Sequence, residues 1–267
     1  ETRASVRLGQ VSPPQGPGSE KDSAEADAKE ELARKAQDPQ ADISALVSDN
    51  TINLGTGDNG DRTGANAQFQ GVYSFPFPES GFDVIARAIG NLNVVPQSQG
   101  GDSWGFGDSI AQFFFKPNLA GNWKFGLGPQ ISLRTRSNEN MGGPGWGAGP
   151  AAVVLGSQGA WTLGSVVGQL WSFDGKSSGL TVQPLIYYNV KTMPGFSIGY
   201  DPIITADWKA AGGNQWTVPL GVTVGQLLDL GGGYALNIFA GAYGVPIRPD
   251  DGPQWQARLQ LFLILPR

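Results

Sequence analysis

The residues of this chain that could act in catalysis are carboxylates, because it contains no histidine and no cysteine. Histidine is the side chain that most often transfers protons near neutral pH, and histidine and cysteine are the usual ligands of zinc. Asp201 and Asp207 share one face of a predicted strand, but the distance along the strand from 201 to 207 is about 20 Å. Carboxylates that act together in acid–base catalysis lie roughly 5–10 Å apart. We therefore expect no enzymatic activity, no cofactor and no metal site.

Lipid is the expected covering of this chain, because only 15% of its residues are charged. Soluble proteins usually carry about 25% charged residues, so the expected partner is membrane lipid or detergent. The longest apolar runs, such as 259–265, are far shorter than the roughly 18 residues of a membrane-spanning helix. A closed sheet is the remaining structure that satisfies every backbone group in hydrocarbon. A net charge of −5 and a pI of about 4.8 offer no basic surface, so no nucleic-acid partner is expected.

From residue 43 onward, stretches of alternating polarity are separated by turn clusters. The pattern predicts an all-β fold, a transmembrane antiparallel up-and-down β-barrel of about twelve strands. The strands lie near 43–54, 65–76, 82–95, 104–116, 122–136, 146–156, 160–173, 180–191, 196–208, 216–229, 234–247 and 255–265. Shorter and longer connections alternate along the chain. Because such barrels have short periplasmic turns and longer outer loops, an even count predicts an outer-membrane protein with both termini in the periplasm.

Aromatic residues begin many of the predicted strands, directly after a turn cluster. These residues are Trp104, Trp123, Trp146, Trp161, Phe196, Trp216 and Trp255. Aromatic side chains with one polar edge prefer the membrane–water interface, so their recurrence indicates two aromatic girdles. The alternative is a soluble β-sandwich with tryptophans in its core. It fits poorly, because its outer faces would be wholly apolar.

The first 42 residues are expected to form a segment of their own, and residues 43–267 the barrel. Residues 1–22 have few apolar side chains and should be extended. Residues 23–36 have good helix formers, with acids early and bases late, and predict a short helix that Pro39 should end. The segment is either a disordered periplasmic tail or a plug in the barrel mouth. The residues assigned to the plug are Leu32, Pro39, Ile43 and Leu46.

Alternation within each strand separates a lipid face from a lumen face. In the last strand, Trp255 and Leu259 share one face and Gln256 and Arg258 share the other. A charge that faces lipid at the midplane costs about 2–4 kcal/mol, so charged strand residues should line the lumen. They form either internal salt bridges that stiffen a narrow barrel or groups that select solutes. The predicted lumen-lining residues are Arg87, Lys124, Gln130, Arg134, Arg136, Gln183, Tyr187, Asp201, Asp207, Phe239, Tyr243 and Arg258.

Proline recurs inside the predicted strands, where it removes a ladder donor and is normally confined to edges or bulges. A closed barrel has no edges. Pro129 and Pro150 fall at similar heights on adjacent strands, so the seam between these strands is expected to be weakly bonded. The alternative is that the prolines mark bulges that adjust barrel curvature. The residues assigned to a lateral seam are Pro129, Pro150, Pro184, Pro202 and Pro219.

Several stretches of the chain carry a resemblance to a known family. They are residues 36–50 (AQDPQADISALVSDN), 161–173 (WTLGSVVGQLWSF), 200–208 (YDPIITADW), 216–221 (WTVPLG) and 253–258 (PQWQAR). Over about residues 36–267 the chain resembles the COG4313 outer-membrane channels, transporter-like β-barrels that include proteins linked to the MetA pathway of phenol degradation. The resemblance implies a monomeric twelve-stranded barrel whose N-terminal segment occludes the lumen. It also implies uptake of small hydrophobic molecules, with a side opening in the wall as one route.

Two classes of function remain, beside a purely structural barrel that would need longer outer loops. Inward apolar residues and in-strand prolines favour a Gram-negative outer-membrane channel for passive uptake of small hydrophobic molecules, with lateral exit. Those apolar residues are Leu185, Tyr187, Ile203, Phe239 and Tyr243. Inward basic residues favour a narrow diffusion pore for small hydrophilic solutes or ions. We expect the hydrophobic channel, acting as a monomer.

Overall fold

The computed structural model describes residues 17–266 except positions 40, 42, 58 and 98–100, with side chains from residue 25 onward. Helix α1 (Pro17–Gln37) precedes one antiparallel sheet. β1 pairs with both β2 and β14, so the sheet closes on itself. Its segments are β1 (Ser44–Thr56), β2 (Arg62–Phe77), β3 (Phe82–Pro96), β4 (Asp102–Phe106), β5 (Ser109–Pro117), β6 (Trp123–Leu133), β7 (Gly147–Gln158), β8 (Trp161–Ser172), β9 (Ser178–Asn189), β10 (Phe196–Tyr200), β11 (Ile204–Asp207), β12 (Trp216–Gly231), β13 (Tyr234–Ile247) and β14 (Trp255–Leu265).

These fourteen segments form twelve barrel strands, because two strands are each interrupted once. β4 and β5 both pair with β3, where a one-residue bulge at 107–109 faces residues 90–91. β10 and β11 both pair with β9 and β12, and residues 201–203 separate them. The closed twelve-stranded antiparallel barrel predicted from the sequence is therefore confirmed.

Connections of two kinds lie at opposite ends of the barrel. Short connections such as 159–160 and 232–233 mark what we call the short-turn end, where β1 also begins. Longer connections such as 134–146 mark the long-loop end. Because β1 follows α1 in the chain and begins at the short-turn end, the end of α1 lies next to that end.

The outer face of the barrel is apolar. In β14, Trp255 and Leu259 are 61% and 45% exposed, whereas Arg258 between them is 7% exposed. No described helix is long and apolar enough to cross a bilayer. Exposed aromatic residues border the apolar face at both ends, as in transmembrane barrels. They are Trp104, Trp146, Trp171, Trp208 and Trp255 at the long-loop end, and Tyr73, Phe75, Phe77, Trp123, Trp161, Tyr188 and Tyr234 at the short-turn end.

Helix α1 is longer than the sequence pattern predicted. It begins at Pro17, so residues 17–22 are helical rather than extended. Proline is favourable in the first turn of a helix, because the N–H that it lacks would have no partner there. An ion pair of 2.8 Å between Glu30 and Arg34 supports the last turns. Residues 1–16, 40 and 42 of the predicted N-terminal segment, and position 267 of the predicted barrel range, lie outside the described residues.

Candidate functional site

The end of α1 and the residues that follow it lie inside the short-turn end of the lumen. We call the described part of residues 32–43 the plug segment. Its apolar side chains pack against the inner wall in one buried cluster. Leu32 packs against this cluster, and Pro39 borders the cavity above it. The cluster contains Ala33, Ala36, Ala41, Ile43, Ala45, Leu227, Ala235 and Ile264.

Two polar contacts fasten the plug segment to the wall. Gln37 and Asn189 exchange side-chain hydrogen bonds of 2.8 and 3.3 Å, and both residues are buried. Asp38 is paired with Lys124, which lies at the short-turn mouth. A buried amide without a hydrogen bond costs about 1–3 kcal/mol, so these contacts select one seating of the segment. Lys124 anchors the plug segment.

Leu46 does not belong to the plug segment. It is 54% exposed, whereas its neighbours Ala45 and Val47 are 2% and 6% exposed. Residues of a strand alternate between the two faces, and β1 has already begun at Ser44. The assignment of Leu46 to the plug is therefore wrong, and its side chain belongs to the outer apolar face.

A buried ion network crosses the lumen. Arg258 donates from Nε to Asp49 at 2.7 Å and from Nη1 to Asp201 at 3.1 Å. Tyr187 and Tyr243 donate to the same Asp201 carboxylate at 3.0 and 3.1 Å. All five residues are at most 7% exposed. Four of the five are predicted lumen residues, all except Asp49, and for them the contacts favour internal bracing over a direct role in solute selection.

A cavity of about 270 Å³ lies in the lumen beside this network. Arg87, Gln112 and Gln130 form one polar row of its lining, because they are cross-strand partners on β3, β5 and β6. Another part of the lining, on β9 and between β10 and β11, combines Gln183 with the apolar Ile203. The cavity therefore offers both hydrogen-bonding groups and apolar surface.

Arg134 and Arg136 lie outside the lumen, in the long loop after β6. The predicted strand continued to residue 136, but β6 ends at Leu133. The chain turns there because the buried Asp108 carboxylate accepts from the backbone N–H of Arg136 at 3.3 Å and from its guanidinium at 3.1 Å. A hydrogen bond from Arg134 lowers the pKa of the exposed Glu139. Both arginines therefore organise the long loop after β6.

The remaining two predicted lumen residues are Asp207 and Phe239. They lie at different heights in the barrel. Asp207 is exposed at the long-loop end, where its carboxylate accepts from the backbone N–H of Lys209 at 2.8 Å. Phe239 is buried lower in the barrel, with its ring centroid 5.7 Å from that of Tyr187. Asp207 thus caps a turn, and Phe239 fills the lumen.

Sequence reasoning missed two residues that complete the site. Asp49 is a carboxylate on the inward face of β1, flanked by Val47. The rule that assigned Asp201 to the lumen would have found it. Gln112 lies within an otherwise apolar stretch of β5, and a carboxamide in such a stretch is the same kind of signal.

Pro129 and Pro150 are Cα partners across β6 and β7, but the seam between these strands is continuous. The interruptions lie on the two flanks, because the pairing of β5 with β6 skips Pro129 and that of β7 with β8 skips Pro150. In an antiparallel pair, each N–H points to one neighbouring strand only. The missing donors of both prolines point away from the seam they share. The expected weakness between β6 and β7 is therefore wrong.

Glycines allow the strands on the two flanks to approach each other closely. Gly128 and Gly149 precede the two prolines, and an added Cβ would lie 1.9 Å from the carbonyl oxygen of Phe113 or 1.8 Å from that of Gln169. Backbones approach this closely only where no side chain intervenes. The wall at these prolines is compact rather than open.

Replacing Gly128 or Gly149 by alanine is expected to lower the thermal unfolding temperature of the barrel in detergent. The added methyl group forces two strands apart, and overpacking of this kind costs about 1–3 kcal/mol. Gly71→Ala in β2 is the matched control, because nothing lies within 4 Å of its added Cβ. Equal unfolding temperatures for the three variants would contradict the close approach.

A wider gap in the ladder lies at residues 201–203. β9 pairs with β10 and β11 on either side, but not at residues 183–185. β12 likewise has no partner from these strands at residues 218–222. The strand register is the same on both sides of the gap. If it is continued through the gap, Pro184 lies opposite Pro202, and Pro219 lies opposite Ile203. Three of the five prolines assigned to a lateral seam thus meet in one place.

Side chains replace the missing ladder bonds at this gap. The backbone carbonyl of Asp201 accepts from the guanidinium of Arg258 and from Gln183 at 3.4 Å. The hydroxyl of Tyr200 donates to the carbonyl of Pro219 at 2.8 Å. A side-chain contact is released by a rotamer change, whereas ladder bonds separate only when strands move apart. Among the described parts of the wall, this gap is therefore the best candidate for an opening.

Comparison with solved structures places the barrel beside a known outer-membrane channel. The chain superimposes on the crystal structure of the COG4313 outer membrane channel from Pseudomonas putida F1 with a TM-score of 0.60. The match covers 84% of this chain and 96% of that one, at 14% sequence identity. No protein-family model and no curated protein sequence matches the chain. The resemblance to the COG4313 channels that the sequence indicated is thus confirmed at the level of the fold.

Proposed function

We propose that this protein is an outer-membrane channel for passive uptake of small hydrophobic molecules, which leave the lumen sideways through the gap at residues 201–203. The observation that carries the proposal is the position of the cavity directly behind the gap. Gln183, Leu185 and Ile203 line the cavity, and residues 183–185 and 201–203 are also the unpaired edges of the gap. On this side of the cavity, the stretch of wall without ladder bonds is what separates a solute from lipid.

The plug segment supports a sideways route over an axial one. Its buried cluster and its contacts to Asn189 and Lys124 fill the short-turn end. An apolar solute gains about 25 cal/mol for each Å² that it moves from water into lipid. The free energy of an apolar solute therefore falls along a path that ends in lipid. A path through the short-turn end would require the plug segment to detach from the inner wall.

The proposal also includes an orientation in the membrane and a state of assembly. In our proposal the short-turn end and both chain termini face the periplasm, and the long loops face outward. The apolar outer face contacts lipid around the whole barrel, so the protein acts as a monomer. It needs no cofactor and catalyses no reaction.

A narrow pore for hydrophilic solutes is the second candidate. The observation that favours it is the carboxamide content of the cavity, where Gln68, Gln70, Gln112, Gln130 and Gln183 all contribute to the lining. Such a pore would pass ions along the axis and would be indifferent to the state of the wall. The two functions are therefore separable by closing the gap.

Cross-linking the gap is expected to stop hydrophobic uptake and spare ion conductance. The register places Gln183 opposite Ile203, so Gln183→Cys with Ile203→Cys allows a disulfide across the gap in a chain without native cysteine. Entry of the fluorescent hydrophobic probe N-phenylnaphthylamine into expressing cells should fall several-fold on oxidation and recover on reduction. Potassium chloride conductance in planar bilayers should stay nearly constant.

The matched control is a disulfide across an intact ladder. Ala67 and Leu92 are Cα partners on β2 and β3, remote from the gap, and Ala67→Cys with Leu92→Cys should show no change of uptake on oxidation. Equal loss of probe uptake in both pairs would contradict lateral exit. Loss of conductance together with uptake across the gap pair alone would indicate a single axial path and favour the hydrophilic pore.

A further inference from the structure

Arg87 is a cation inside the lumen without a carboxylate partner among the described residues. Its guanidinium donates one hydrogen bond, to Gln70 at 2.7 Å. No described acidic oxygen lies within 4.0 Å of it, in contrast to Arg258. The side chain lines the cavity of about 270 Å³. A guanidinium has five N–H donors, so most of the hydrogen-bonding capacity of Arg87 is not used by the described residues.

The two buried carboxylates of the lumen network, Asp49 and Asp201, cannot be recruited to Arg87 at low cost. Asp49 accepts from Arg258 at 2.7 Å and from Gln260 at 3.1 Å, and Asp201 is held by Arg258 and two tyrosines. Taking either carboxylate away would leave the buried Arg258 with one carboxylate partner instead of two. The charge of Arg87 is therefore open to an incoming group.

The neighbour of Arg87 in the polar row has an unused acceptor. Gln112, its cross-strand partner, donates to Gln130 at 2.9 Å. The other end of the same carboxamide, the Oε1 atom, is buried without a hydrogen-bond partner. A carboxylate oxygen and this amide oxygen both only accept hydrogen bonds, so Gln112 adds no bond to a carboxylate head, and Arg87 is the donor that such a head would meet.

Apolar side chains supply the rest of the cavity surface. Val166, Leu185 and Ile203 line it on the side of the wall gap. An engineered cavity of about 150 Å³ holds a benzene molecule, so a cavity of about 270 Å³ accommodates roughly ten non-hydrogen atoms. The cavity therefore fits a short hydrocarbon body with one polar head.

We propose that this cavity is a binding site for small amphipathic carboxylates, with the carboxylate on Arg87 and the hydrocarbon body toward Val166, Leu185 and Ile203. Carboxylate matches a guanidinium fork in charge and shape, and charge-assisted bonds are about twice as strong as neutral ones. The inference rests on the proposed channel function and narrows its substrates to hydrophobic acids. Arg87 is then the specificity-determining residue, and Gln70 positions its guanidinium.

The test compares two probes of equal size and shape that differ in charge, phenylacetate and phenylacetamide. Each has ten non-hydrogen atoms, and both are water-soluble. Calorimetric titration of the full-length protein in detergent should show phenylacetate binding at least about tenfold more tightly than phenylacetamide. Arg87→Met should abolish this preference by weakening binding of the acid alone. Arg62→Met, which removes a cation at the long-loop end outside the cavity, should keep it.

A second variant protects the test against misfolding of Arg87→Met. Arg87→Lys retains the charge without the fork and should show an intermediate preference for the acid. Equal binding of both probes by the unaltered protein, no binding of either, or a preference that survives in both Arg87 variants would overturn the proposal. Because these readouts measure binding and not transport, the cross-linking experiment at the wall gap remains a separate test of the channel function.

Discussion

Replacing Ala33 by glutamate is expected to raise single-channel conductance several-fold, because the plug segment leaves its seat. Ala33 is fully buried in the apolar cluster at the short-turn end. An unpaired buried carboxylate costs several kcal/mol. The larger apolar side chains of the plug segment, Leu32 and Ile43, each contribute at most about 1.5–3 kcal/mol to docking. The buried charge therefore offsets a large part of the docking free energy and shifts the segment toward the undocked state, while the strands keep all their ladder bonds.

The same substitution one turn and a half earlier in α1 gives the matched control. Ala28 is exposed, so Ala28→Glu changes the chemistry of the helix equally without burying a charge. Its conductance in planar bilayers should equal that of the unaltered protein. Deletion of residues 1–41 should set the upper limit of conductance. Equal conductance of Ala33→Glu and Ala28→Glu would contradict a plug held by the apolar cluster.

Replacing Arg258 by methionine is expected to give the largest loss of stability, on the order of 3–5 kcal/mol. The change leaves Asp49 and Asp201 buried without their shared cation, and desolvated charges of one sign then face each other across the lumen. Thermal unfolding in detergent, followed by circular dichroism, should show a lower midpoint than that of the unaltered barrel. The carbonyl of Asp201 also loses a donor, so the wall gap should loosen.

A neutral triple variant separates charge from packing in this result. Asp49→Asn with Asp201→Asn and Arg258→Met removes the whole ion network, and replacement of a complete buried network is often nearly neutral. We expect this variant to recover most of the lost midpoint. A triple variant as unstable as Arg258→Met alone would show that the shape of the arginine, not its charge, holds the lumen together.

The strands were predictable because their signal is local. Alternation of polarity and the flanking turn residues lie within each strand, so the predicted 255–265 is the observed β14 and the predicted 82–95 differs from β3 by one residue. The error at β6 has a non-local cause. Arg134 and Arg136 continue the alternation, but Asp108 from a neighbouring strand captures the chain and ends β6 at Leu133.

The interior of the site was predictable only in part, because its contacts join distant parts of the chain. Arg258 could be placed in the lumen from its strand, but its partner Asp49 lies 209 residues away. The consequence of a proline depends on the direction of the N–H that it lacks, and that direction follows from strand register. Pro129 and Pro150 therefore fell at the predicted heights while their missing donors faced other seams.

The seating of the plug segment sets an order for biogenesis. Gln37 bonds to a residue 152 positions later, and Arg34 to the carbonyl of Gly159, 125 positions later. The apolar cluster also needs Ile264, on the strand that is synthesised last. Contacts of such long sequence separation form late in folding. The N-terminal segment therefore cannot complete its packing until β14 has paired with β1, so full protection of the segment from proteases should report a closed barrel.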